Sequence, residues 1–140
     1  QREFSDLYNL PYHSVCTTST HDMTPLRNWW KEDPEKTQRY YNHVLQRIGE
    51  APDECTAEIV AQIISNHLKT RSMLTIIPLQ DWFAMDDSIK RKDIESERIN
   101  VPANSTHYWR YRMHITLEQL LQADNLNNKI VSLIKEAGRK

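Results

Sequence analysis

The chain has 140 residues, of which 39% are hydrophobic and 26% are charged, with a formal net charge of −1 at neutral pH. This composition is typical of one folded globular unit and excludes a disordered segment. The near-neutral net charge excludes a partner recruited by bulk charge, such as nucleic acid or anionic lipid. No apolar run is long enough to span a membrane. The two cysteines, Cys16 and Cys55, are too few for a disulfide framework, and we therefore expect a reducing, cytoplasmic compartment.

The first residue is Gln1, and neither an initiator methionine nor the pattern of a signal peptide is present. We therefore expect the chain to begin inside a longer reading frame, or to have been trimmed. An uncharged partner such as a sugar is compatible with this charge balance.

The first predicted element is a short strand, Ser14 to Thr18, which leads through His21 and Asp22 into a helix. We expect Thr24 to cap that helix and Pro25 to be its first residue. The C-terminal end of a barrel strand is where barrel enzymes carry their chemistry. Taken alone, the His-Asp pair favours a capping or core-polar role, because Asp in front of a helix is a common N-cap.

Amphipathic patterns predict further helices. One begins after Asp33, runs over 34–48 and stops at Gly49, where positive φ is useful. The next runs from Ala57 to about Lys69, and a capping box at Thr116–Gln119 precedes the last one. Their apolar stripes are Tyr40, Tyr41, Val44, Leu45 and Ile48; Ile59, Val60, Ile63, Ile64 and Leu68; and Leu126, Ile130, Leu133, Ile134 and Ala137, the last ending at Gly138.

A second strand is predicted over Met73 to Ile77, a nearly continuous apolar run that suits a parallel strand covered on both faces. Gln80 and Asp81 are predicted to end this strand; one of the two is expected to reach a site there, and Asp81 to cap the segment after it. The mixed-charge segment 86–98 predicts a solvated loop or a short exposed helix, and the aromatic-rich and arginine-rich segment 100–113 predicts a loop on the same face.

Two parallel strands cannot form a stable sheet alone, so other strands must complete it. We therefore predict an α/β fold: the helix-dominated C-terminal fragment of an eight-stranded (β/α)8 barrel. Residues 1–140 are expected to form a single unit holding strands seven and eight with their helices. With two glycines there is no phosphate loop, and six scattered histidines lack the spacing of a zinc site, so we expect neither nucleotide cofactor nor metal.

Three motifs, in this order, resemble glycoside hydrolase family 77, the 4-alpha-glucanotransferases known as amylomaltases or disproportionating enzymes. They are Ser19–Asp22 leading into Arg27–Trp30, then Pro78–Asp81, and then His107–Arg112. The Asp22-Met23 pair and the last motif are most similar to the plant cytosolic type and its bacterial relatives. The resemblance implies the C-terminal part of an enzyme that transfers glucosyl units between maltose or maltodextrins and glucan acceptors, without an organic cofactor.

The resemblance also implies roles for particular residues in a retaining glycosyl transfer. The nucleophile and the acid/base would lie on earlier strands, outside these residues, and Asp22 matches a third carboxylate that stabilises the transition state. His21 would donate to the same sugar. Asn100, Gln80 and Tyr108 are the candidate substrate-binding residues, although a structural turn role for Asn100 stays open.

Other interpretations stay open beside the enzyme. Trp109 is expected to pack inward, and Trp29 and Trp30 to pack within helices. The alternative function is a helical glucan-binding or protein-interaction module that uses 108–112, and nucleic-acid binding by that patch is a weaker option. As an enzyme fragment, the chain alone is expected to be inactive. It is also expected to self-associate, because its strand edges and the apolar stripes of helices 34–48 and 57–69 would be exposed.

Overall fold

A short parallel strand pair organises the chain, whose structure is a computed structural model that describes residues 3–139. In these residues β1 (Val15–Cys16) pairs with β2 (Leu74–Thr75), Val15 lying opposite Leu74. The helices are α1 (Leu26–Glu32), α2 (Pro34–His43), α3 (Ala57–Leu68), α4 (Leu79–Phe83), α5 (Leu117–Leu121) and α6 (Asp124–Glu136), and single 3₁₀ turns cover Leu7–Asn9 and Glu95–Glu97.

The predicted parallel pairing of the two apolar segments is confirmed. Hydrogen bonds extend the contact beyond the two-residue strands, since Met73 N–H donates to the Tyr12 carbonyl at 2.8 Å and Ile76 N–H to the Cys16 carbonyl at 2.9 Å. Each strand is shorter than predicted because the sheet, in the described part of the chain, holds these two strands alone and each has a single neighbour.

Helix α3 forms the centre of the hydrophobic core. Its residues Ile59, Val60, Ile63 and Ile64 are each at most 2% exposed. Burial of an aliphatic side chain contributes about 1.5–3 kcal/mol, so this one face supplies much of the core's stability. Trp30, Phe83 and Leu126 of neighbouring helices pack into the same core. The expectation that the α3 stripe would be exposed is therefore wrong, because the other helices of the chain cover it.

Helix α2 begins as predicted but ends earlier. The Asp33 side chain accepts from Lys36 N–H at 3.0 Å, which confirms the predicted cap. The helix stops at His43 rather than at Ile48, which is 98% exposed. A turn with positive φ at Gln46 follows, and it directs Leu45 into the core.

The start of α1 differs from its prediction. Pro25 occupies the N-cap position, Leu26 is the first helical residue, and Thr24 makes no capping hydrogen bond. The Leu26 N–H instead donates to Asp81 Oδ1 at 2.9 Å. Asp81 itself lies with Gln80 in α4, a short helix that no pattern in the sequence predicted. The carboxylate thus caps a helix that precedes it in the chain, not the segment after it.

The C-terminal helices agree closely with the sequence patterns. The reciprocal hydrogen bonds of Thr116 and Gln119 form the predicted capping box of α5. In α6, Leu126 is fully buried, and the rest of the predicted stripe is partly buried and packs against the core. Gly138 has φ of 69°, as expected for a residue that ends a helix.

The charged segment 86–98 is not simply solvated. Asp86 is 4% exposed and Glu97 is 1% exposed. Asp86 accepts from the Ser88 hydroxyl and from the Asn125 amide, so hydrogen bonds compensate its burial. Cys16 and Cys55 are both buried free thiols. Between residues 3 and 139, no helix is long and apolar enough to cross a membrane.

Candidate functional site

The His21-Asp22 pair lies in the turn between β1 and α1, at the C-terminal end of the first strand. The Asn100 amide Nδ2 donates to Asp22 Oδ1 at 2.6 Å across 78 positions of sequence. His21 Nε2 lies 3.3 Å from Asp22 Oδ2, and both side chains are about half exposed. Three of the five predicted site residues therefore form one solvent-accessible cluster of imidazole, carboxylate and amide.

An aromatic ring adjoins this cluster. The ring centroid of Trp109 lies 4.9 Å from that of His21, with the planes inclined at 49°. Trp109 is 59% exposed, so the prediction that it packs inward is wrong. The available signal was its place beside Tyr108 in a run of aromatic residues. A large ring left in solvent beside a polar cluster is a feature of ligand sites.

Tyr108 is 70% exposed and its ring packs against the Arg110 guanidinium, with 4.8 Å between the guanidinium carbon and the ring centroid. That contact lies within its own loop. The structure therefore does not bring Tyr108 into the hydrogen-bonded cluster of Asp22, His21 and Asn100.

Gln80 lies in the wall of a cavity of about 450 Å³ beside this cluster. The cavity is lined by residues that follow both strands, including Ser19, Thr20, His21, Ile76, Pro78 and Gln80. Gln80 itself is 4% exposed, and its Nε2 donates to the Glu97 carbonyl at 3.1 Å. Its amide thus holds the 95–97 turn against α4.

Asp81 is a buried carboxylate that joins the ends of the two strands. It is 1% exposed and accepts from Thr18 Oγ1 at 2.5 Å, Ser19 Oγ at 3.3 Å and Leu26 N–H at 2.9 Å. Burial raises the pKa of Asp81, and these three donors oppose that rise.

Glu97 is another buried carboxylate, and sequence patterns did not indicate it. Its Oε2 lies 3.6 Å from Arg27 Nη1 and has no hydrogen-bond partner among the described residues. Burial raises the pKa of Glu97 to about 7, although the positive charge of Arg27 acts in the opposite direction. The segment around it shows no apolar periodicity, and such periodicity is the signal by which burial is predicted from sequence.

The exposed cluster combines hydrogen-bonding groups with an apolar ring face, and these groups are compatible with a neutral polyol. The carboxylate of Asp22 accepts from hydroxyl groups, the imidazole of His21 offers a ring nitrogen, and the Trp109 ring presents an apolar face. Among residues 3–139, no group of three histidine, cysteine, aspartate or glutamate side chains is placed to hold a metal ion.

The fold and the position of this cluster define an α/β protein with a candidate ligand site at the carboxyl ends of its parallel strands. The profile of glycoside hydrolase family 77, described as 4-alpha-glucanotransferase, matches residues 1–118. The chain belongs to this family. The family assignment made from the three sequence motifs is thereby confirmed.

Individual relatives agree with this assignment. A rice protein named 4-alpha-glucanotransferase DPE2 is 38% identical over 98% of the chain, and a Chlamydia trachomatis 4-alpha-glucanotransferase is 31% identical over 86% of it. The chain spans 14% and 22% of their respective lengths. In structure, the chain is similar to amylomaltase from Streptococcus agalactiae in complex with acarbose, with a TM-score of 0.68 over 94% of the chain and 23% of that protein, at 18% identity.

Proposed function

We propose that the chain is the C-terminal part of the barrel catalytic domain of a 4-alpha-glucanotransferase, contributing strands seven and eight and the residues that stabilise the transition state. Family membership supports this proposal. The observation that carries it is the hydrogen-bonded cluster of His21, Asp22 and Asn100 at the carboxyl end of β1.

In retaining transfer, a carboxylate nucleophile forms a covalent glycosyl-enzyme, and a second carboxyl group acts first as acid and then as base. Both of these groups would lie outside this chain. Asp22 would accept hydrogen bonds from hydroxyls of the sugar ring that reacts, and these bonds strengthen as positive charge develops on the ring. Asn100 orients that carboxylate by holding Oδ1, and His21 donates to the same sugar.

The proposed substrates are maltose, maltodextrins or a larger glucan, with a sugar hydroxyl as acceptor and no organic cofactor. The solved amylomaltase of similar fold is a complex with acarbose, which supports a saccharide ligand for this chain. Tyr108 and Trp109 would stack on the apolar faces of sugar rings that extend past Asp22. Gln80 would shape the cavity wall next to the bound sugar.

The test is Asp22→Asn in the full-length enzyme, with maltotriose disproportionation followed by chromatography of the products. We expect kcat to fall on the order of 10²-fold or more with little change in KM, because the lost interaction is realised mainly in the transition state. Asp53→Asn, at an exposed position remote in sequence, is the control. An unchanged kcat in Asp22→Asn would show that Asp22 is only a residue of a surface turn.

The chain by itself is proposed to be inactive, because charge stabilisation without a nucleophile and an acid cannot carry the reaction. The second candidate function, glucan binding without catalysis, is favoured by the exposed rings of Tyr108 and Trp109. Calorimetric titration of the isolated chain with a maltodextrin distinguishes the two. Saturable binding that Trp109→Ala abolishes and Asp22→Asn leaves intact would favour the binding module.

We also propose a cytoplasmic location and self-association of the isolated chain. Apolar side chains on the strand pair support association, since Val15, Leu74 and Ile76 are each about half exposed. Sedimentation over a range of concentrations tests this proposal. A monomer at high concentration that binds no hydrophobic dye would contradict it.

A further inference from the structure

We infer that Asp81 is a positioning residue that fixes the loop carrying His21 and Asp22, and this inference rests on the function proposed above. The loop leaves β1 and enters α1, and Asp81 belongs to a different part of the chain, the helix that follows β2. A single buried carboxylate thereby connects the carboxyl ends of the two parallel strands.

The contacts of Asp81 hold both ends of this loop. At its start, the hydroxyls of Thr18 and Ser19 donate to Oδ2 at 2.5 and 3.3 Å. At its end, Leu26 N–H donates to Oδ1 at 2.9 Å. His21 and Asp22 lie between these attachment points, in a turn where Met23 N–H donates to the Thr20 carbonyl at 3.0 Å. The exposed site residues therefore depend on an anchor that is 1% exposed.

A purely structural role would be that of a helix cap. Helix α1 has no capping side chain of its own, so Asp81 does satisfy its first amide. A cap, however, requires only the contact with Leu26. The two additional donors belong to the residues that precede His21, and they tie the beginning of the loop to the same carboxylate that holds its end.

The two roles predict different kinetics. A cap that is lost lowers stability and leaves the kcat of the folded enzyme unchanged. An anchor that is lost lets the site residues shift, and a displacement of about 1 Å costs on the order of 10²-fold in rate while ground-state binding is largely retained. The change in kcat, compared with the change in KM, therefore distinguishes the two roles.

Asp81→Asn provides the conservative variant. Its Oδ1 still accepts from Leu26 N–H, and its Nδ2 donates to the hydroxyls of Thr18 and Ser19, which accept as well as they donate. The anchor is thus kept while its charge is removed. Asp81→Ala removes all three contacts, and Thr18→Val removes one of them without touching the carboxylate.

The experiment measures kcat and KM on maltotriose for these three variants of the full-length enzyme, with Asp53→Ala as an exposed control. We expect Asp81→Ala to lose on the order of 10²-fold in kcat, Thr18→Val about tenfold, and Asp81→Asn only a few-fold, with KM within about twofold in each. If Asp81→Ala does not fold, the kinetics of Thr18→Val and Asp81→Asn still test the inference. Wild-type kcat in folded Asp81→Ala or in Thr18→Val would overturn the inference.

A second measurement does not depend on activity. Amide hydrogen exchange of the 140-residue chain, followed by mass spectrometry, should show faster exchange of the peptide covering 19–26 in Asp81→Ala than in Asp53→Ala. Unchanged exchange there would overturn the inference whatever the enzyme does. If instead exchange rises while Asp22→Asn keeps full kcat, the anchor stands and the proposed role of Asp22 fails.

Discussion

The buried carboxyl of Glu97 makes the stability of the chain depend on pH, and Glu97→Gln should remove that dependence. Burial is the main cause of the raised pKa of Glu97, and the negative charge of Asp81 adds to it. The nearby Arg27 lowers the pKa, but at 3.6 Å it makes no hydrogen bond to Oε2. Neutral glutamine has nearly the same shape and carries no charge to desolvate.

The sign follows from the direction of the shift. With a pKa of about 7 in the folded chain against 4.5 as the ordinary value, the folded state retains a proton that the unfolded state releases. This contribution to stability is fully present below pH 4.5 and is lost as the pH rises through about 7. At ~1.4 kcal/mol per tenfold change in proton affinity, this shift corresponds to about 3 kcal/mol of stability.

The assay is urea unfolding of the chain and of Glu97→Gln at several pH values between about 4.5 and 8, with Glu50→Gln as an exposed control. The difference in unfolding free energy between wild type and Glu97→Gln should change by about 3 kcal/mol across this range, in the sense that the variant gains relative stability at high pH. Buried His67, whose pKa is lowered, contributes with the opposite sign but is present in both proteins. A pH-independent difference would refute the reasoning.

Four further changes test other parts of the structure. In the full-length enzyme, Asn100→Ala should lower kcat by roughly tenfold or more, because it frees Asp22 Oδ1 from a hydrogen bond to a charged acceptor; an unchanged kcat would contradict this role. Trp109→Ala should cost about tenfold or less in kcat/KM for maltodextrins through the lost packing on His21, and identical kinetics would argue against that contact. In urea unfolding, Thr116→Ala should destabilise the chain by about 1 kcal/mol through loss of the capping box, a value near zero refuting that assignment. By the same assay Ile63→Ala, which opens a cavity in the core, should cost about 2–5 kcal/mol, and a loss below about 1 kcal/mol would place Ile63 at a surface.

Elements with a strong local pattern could be predicted from the sequence. Helix α3 has five apolar residues at helical spacing, and its observed span of Ala57–Leu68 agrees with the prediction to within a residue. The predicted end of α2 is wrong because Gly49, which does adopt positive φ, is not the residue that stops the helix. The turn instead begins at Val44. Burial of Leu45 in the core takes precedence over the helical periodicity, which would have included the exposed Ile48.

The candidate site could be predicted in its residues but not in its arrangement. His21, Asp22 and Asn100 are identified through motifs, and the structure brings them into one cluster. The buried polar layer beneath them leaves no pattern in the sequence. Asp81 and Glu97 owe their burial to contacts with residues far away in the chain, Thr18 and Arg27, and no periodicity within a segment reports such contacts.

The pairing of the two strands is what makes this site dependent on the whole chain. Asp22 meets Asn100 across 78 positions, and Thr18 meets Asp81 across 63. Both contacts lie beyond the strand pair in which Cys16 is opposite Thr75, and a shift of one residue would turn every side chain of β2 to the other face. The exposed carboxylate at the end of the first strand and the buried one after the second therefore share one structural cause. A change that weakens the register of β1 and β2 should consequently impair the Asp22 cluster and the Asp81 anchor together.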